Sequence, residues 1–101
     1  MSKLQPGQDG FVEQTRRFWC SRGLSEPASL MVIEYWGDGD PAFGGSADDR
    51  VLGPDGMILT LQKRWFTEPV LFTSLEAAHE AAKHITNRRT DSILGIAPQW
   101  R

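Results

Sequence analysis

Leu30-Met31-Val32-Ile33-Glu34-Tyr35-Trp36 is the stretch that decides the fold class, because seven consecutive residues dominated by β-branched, aromatic and large apolar side chains fit a pleated surface and not a helix face. Alternation along a strand sends Met31, Ile33 and Tyr35 to one side and Leu30, Val32, Glu34 and Trp36 to the other. Only Glu34 interrupts the apolar character of either side. A strand of this kind is covered on most of both faces and belongs at the centre of its sheet.

Downstream lies Gly37 to Asp49, GDGDPAFGGSADD, with four aspartates and four glycines. A connection this long in a small domain is uncommon and tends to be functional or disordered. Arg50 to Leu52 and Met57 to Trp65 then flank Gly53-Pro54-Asp55-Gly56, where proline presets the first central turn residue and glycine takes the position that wants a positive φ. This predicts a hairpin. On its second arm Met57, Leu59, Leu61 and Trp65 alternate with Thr60, Gln62 and Arg64, and Lys63 is placed to snorkel where the strand leaves the core. Thr67-Glu68-Pro69 turns the chain into a short strand, Val70 to Phe72.

Upstream, Asp9 to Arg22 reads as a helix with Asp9 as its N-cap, Phe11, Val12, Phe18 and Trp19 at helical spacing, and Gly23 closing the last turn with Leu24 packing back. Thr73-Ser74-Leu75-Glu76 has the capping-box pattern and opens a second helix. Its stripe is Leu75, Ala78, Ala82 and Ile85, small enough to approach a sheet closely, and it should end near Asn87. Ser92 to Ile96 can add a last strand, which Pro98 should stop. The expected fold class is α+β: an antiparallel β-sheet of four to five strands with two helices packed on one face. Residues 1–101 form a single domain, with 1–8 a flexible N-terminus and 37–49 an acidic, glycine-rich loop.

The composition, 40% hydrophobic and 24% charged over 101 residues, supports one globular core and no second. The single cysteine, Cys20, reads as a small buried hydrophobe beside Phe18 and Trp19, in a reducing compartment. The N-terminus has no apolar leader core and no run suits a membrane span, so the expected location is cytoplasmic. A net charge of -2 conceals an acidic middle, since no positive residue lies between Leu24 and Asp49. The basic pairs Arg16-Arg17, Lys63-Arg64 and Arg88-Arg89 do not amount to the coherent positive field that displaces counterions from a duplex, so no direct nucleic-acid partner is expected.

Chemical signatures are weak. His79 and His84 are five residues apart, which turns them about 140° away from one another on a helix, so the zincin pattern fails. His79 with Lys83 and Glu80 with His84 read as exposed helix neighbours. The aspartates between 38 and 49 lack the alternating order and closing glutamate of an EF-hand. Gly44-Gly45-Ser46 is neither a nucleophile elbow nor a phosphate loop. No catalytic residue, metal or cofactor is assigned.

What remains is surface. Trp36 and Phe43 bracket the start of the acidic loop, and Lys63, Arg64, Trp65 and Phe66 put two rings beside two charges at a strand end, a combination that suits protein interfaces. With Asp38, Asp40, Asp48 and Asp49 these are the candidate protein-binding residues, and the charge of the loop suits a basic surface on a larger complex. In size, acidity and its run of strand, hairpin, short strand and capped alanine-rich helix, the chain resembles the small accessory proteins of bacterial phages and mobile elements, anti-CRISPR inhibitors among them. That resemblance is one of style and implies a noncatalytic binding or inhibitory role without assigning residues. The alternative is a small ligand-binding or enzymatic domain with a pocket between sheet and second helix, served by His79 or Glu34. A homodimer built by pairing strand edges is compatible with either.

Overall fold

The structure, a computed structural model, describes residues 4–35, 50–53, 59–61 and 68–98, with the backbone alone at 59–61. Helix α1 spans Phe11–Cys20, strands β1, β2 and β3 span Leu30–Tyr35, Arg50–Leu52 and Leu59–Leu61, helix α2 spans Leu75–Ala82, and β4 spans Ile93–Pro98. The chain is an α+β domain with two helices and an antiparallel sheet. β1 lies between β2 and β4, and the backbone of β3 runs along the far side of β2.

LMVIEY is the centre of the molecule, as its composition dictates. Every residue of β1 is buried. It pairs along its whole length with β4, from Leu30 opposite Pro98 to Tyr35 opposite Ile93, and at its other edge Ile33 and Glu34 face Val51 and Arg50. The alternation sorts the core into two layers. Leu30, Val32, Leu52 and Ile96 join Phe11 and Trp19 of α1 and Leu75, Ala78 and Ala82 of α2. Met31, Ile33, Tyr35, Val51 and Ala97 form the second cluster on the opposite face.

Both helices therefore pack on one face of the sheet. Ala78 and Ala82, at 0% and 2% exposure, carry no bulk beyond Cβ and let α2 sit close over β1 and β4. Ile85 packs at the margin of the same cluster although α2 has ended at Ala82, short of Asn87. Trp19 is buried to 1%, and its indole Nε1 finds no acceptor among the described residues.

Several local expectations are corrected. Asp9 does not cap α1; Gly10 does, at φ 87°, with no side-chain hydrogen bond, because the chain enters the helix through a left-handed residue that favours glycine. At α2 the cap is Ser74 and not Thr73. Ser74 Oγ accepts from Ala77 N–H at 3.1 Å, which moves the third helical position to an alanine and leaves Glu76 free to pair with Arg16 instead. Val70–Phe72 is reduced to one bridge, Phe72 opposite Leu30, because Val70 N–H is already given to Leu52 C=O. β4 runs on to Pro98, which pairs with Leu30 across a position that needs no proline N–H, since Leu30 gives its own hydrogen bonds to Phe72.

The end of α1 is built as its sequence implies. Gly23, at φ 72°, donates to Cys20 C=O at 3.0 Å, and Leu24 donates to Trp19 C=O at 3.0 Å while packing against the helix-side core. This is the paired closure of a Schellman motif. Cys20 itself is exposed, contrary to expectation, because the helix turns Trp19 inward and its neighbour outward. Among the described residues no helix is long and apolar enough to cross a membrane.

Candidate protein-binding site and its buried neck

The candidate binding residues Trp36, Asp38, Asp40, Phe43, Asp48, Asp49, Lys63, Arg64, Trp65 and Phe66 all lie outside the described residues, as does the turn core Pro54-Asp55-Gly56. What is described is the neck from which the acidic segment leaves. β1 ends at Tyr35 and β2 begins at Arg50, so residues 36–49 depart from and return to one antiparallel pair, whose outermost register positions are Glu34 and Arg50.

Glu34 is fully buried and Arg50 is 14% exposed at the side chain. A lone carboxylate in such a place costs several kcal/mol, so its partners decide whether the strand tolerates it. They are complete. Arg50 Nε donates to Oε1 at 2.5 Å and Nη2 to Oε2 at 3.0 Å, the two-pronged geometry of guanidinium and carboxylate. Oε2 also accepts from the Arg89 backbone N–H and from Ser92 Oγ, each at 2.7 Å. The same guanidinium donates to Asn87 C=O at 2.8 Å.

Burial pushes the Glu34 carboxyl upward, and the bonds from Arg50, Arg89 N–H and Ser92 outweigh it, holding the group at about 2. The carboxylate is thus ionised and buried, with three hydrogen bonds to Oε2 and one to Oε1. Through it the end of the β1–β2 pair is tied to the chain between α2 and β4, residues 83–92.

His79, the other polar group considered for a pocket, has a separate set of partners. Its ring stacks on Phe11 at 4.9 Å between centroids, and Nε2 accepts from Gly7 N–H at 2.8 Å. Lys83 lies close enough to act on His79 by charge, as their spacing implies, but His79 is half-buried and not exposed, and Lys83 Nζ meets Glu80 at 2.7 Å, while Glu80 and His84 are exposed neighbours, 3.7 Å apart. Between α2 and the sheet, Leu75, Ala78 and Ala82 fill the space against Leu30, Val32 and Ile96. Among the described residues no three His, Cys, Asp or Glu side chains come together as metal ligands.

Sequence reasoning missed the neck. Glu34 alone on an apolar strand was a signal for a buried partner, and Arg50, the first cation after the long acidic run, was the available one. No protein-family model, curated protein or solved structure matches the chain.

Proposed function

We propose that this chain is a noncatalytic accessory or inhibitor protein of cytoplasmic location, on an antiparallel sheet of four to five strands, that binds a basic surface of a larger bacterial complex. The binding residues are Asp38, Asp40, Asp48, Asp49, Trp36 and Phe43 in the acidic segment and Lys63, Arg64, Trp65 and Phe66 near it in sequence. The resemblance in style to accessory proteins of phages and mobile elements points the same way.

The observation that carries the reading is the Glu34–Arg50 neck. Both ends of an acidic fourteen-residue segment, 36–49, are held by a pair with bidentate geometry and two further hydrogen bonds. Fixing the ends of a segment lowers the ordering cost when it binds, which is how a small domain turns a loop into a ligand. The same bonds argue against chemistry at Glu34, since four donors already hold its carboxylate, three of them on Oε2. Opposite charge across the contact would speed encounter and set orientation.

The test is capture from bacterial lysate with the tagged wild type beside a variant carrying D38N, D40N, D48N and D49N. A partner retained by the wild type and lost by the variant supports the reading; equal capture by both, or none by either, removes it. Sedimentation at several concentrations separates a homodimer from a monomer.

A further inference from the structure

We propose that residues 4–10 form a latch held on α2 by neutral His79, and that protonation of the imidazole lifts the latch from the edge of β4. Gly7 N–H donates to His79 Nε2 at 2.8 Å, so the neutral ring keeps its own proton on Nδ1. A second proton on Nε2 would set donor against donor. The bond would then be replaced by repulsion between the two N–H groups.

The surroundings favour the neutral ring. Burial against Phe11 and α1 acts first, the Lys83 charge next, both lowering the histidine below its ordinary 6.5, while Glu80 of α2 and Glu13 of α1 pull weakly the other way. Glu80 is itself paired with Lys83. Asp9 is the one ionisable side chain of the latch itself.

Two further bonds make the latch consequential. Gln5 Oε1 accepts from Leu94 N–H at 3.3 Å and from Arg88 Nη1 at 2.8 Å. Leu30 exchanges its backbone bonds with Phe72 on the side away from β4, so along β1 and β4 the bonded pairs are Met31 with Ala97, Ile33 with Gly95 and Tyr35 with Ile93. Leu94 N–H therefore points out of the sheet edge, and Gln5 is what covers it. Leu4 anchors the start of the latch, donating its N–H to Gln14 Oε1 at 2.9 Å and packing on the helix-side core. Lifting residues 4–10 in acid therefore uncovers the Leu94 N–H at the edge of β4, which Gln5 covers at neutral pH.

Amide and imidazole resonances of the isotope-labelled full chain, followed from pH 8 to pH 5, test this directly. The expected result is one shared midpoint, below 6.5, for the His79 ring and for the Gly7 and Leu94 amides, with exchange protection at Leu94 falling about five- to tenfold in acid once intrinsic rates are divided out. Lys83→Gln should raise that midpoint by removing a like charge. His79→Phe keeps the ring contact without the acceptor and should hold both amides at their acid positions at every pH. A His79 midpoint at or above 6.5, a Leu94 amide that stays still while His79 titrates, or an amide transition that survives in His79→Phe would overturn the proposal. If His79→Phe does not fold, an unmoved midpoint in Lys83→Gln has the same force.

Discussion

Glu34 is worth most to this fold as an ion, and its stabilisation depends on pH in a definite direction. Its carboxyl lies lower in the native state than in the unfolded chain, near 2 against 4.5, so its contribution is whole above about pH 4.5 and disappears as pH falls toward 2. Two and a half units correspond to about 3 kcal/mol. Urea unfolding at pH 6 and at pH 2.5 should register a loss approaching that size, and the same comparison on Glu34→Gln should show a shallower fall. At neutral pH, Glu34→Gln should cost about 3–5 kcal/mol, because Arg50 is left largely buried without its counter-charge. Replacing both members together, as E34L with R50M, should recover most of it, since two apolar side chains leave no orphan charge. A double variant that loses the sum of the two single-variant losses would show that the pair is not coupled. Cys20 makes a second expectation at this scale. Its exposed thiol should react stoichiometrically with a disulfide reagent in native buffer, and Cys20→Ser should change stability by less than about 0.5 kcal/mol.

At the scale of the element, the caps show where a sequence pattern is ambiguous by one residue. Thr73 and Ser74 are both good N-caps, and a threonine followed three residues later by Glu76 completes the familiar box. The structure uses the other. Ser74 caps α2 through Ala77 N–H, Leu75, Ala78 and Ala82 lie on the sheet, and Glu76 pairs with Arg16 in place of reaching back to a cap. Ser74→Ala should therefore lower stability by about 1 kcal/mol and Thr73→Ala by less than about 0.5 kcal/mol, read from thermal or urea unfolding. The reverse order would place the cap at Thr73 after all. The end of α1 was plainer in the sequence, because a glycine followed by leucine after an amphipathic run admits one closure, and Gly23 and Leu24 make it. Its start was not, since Asp9 looks like a cap while a left-handed Gly10 leaves no sequence mark except glycine itself.

Across the whole molecule, legibility follows burial. The central strand, the two helices on one side and the last strand could all be read from apolar spacing, because each owes its place to the same core. The polar neck could not, since Glu34, Arg50, Arg89 and Ser92 meet only through pairing that no local pattern encodes. The proposed binding role makes its own expectation at this scale: affinity for a basic partner should fall steeply between 50 mM and 300 mM salt, and the variant with four neutralised aspartates should be weaker and less salt-sensitive. An affinity indifferent to salt, measured by calorimetry, would point to a contact made by the rings alone.

The arrangement of strands carries one last consequence. β1 has β2 on one flank and β4 on the other, and β4 is reached only after both hairpin strands and α2. During synthesis the greasiest segment of the polypeptide must therefore wait, half its hydrogen-bonding groups unmatched, until Ile93–Pro98 has left the ribosome. Non-local pairing of this kind is slow to nucleate. Nascent chains halted before Ile93 should accordingly be bound by chaperones and cut readily by protease, and those released after Pro98 should resist.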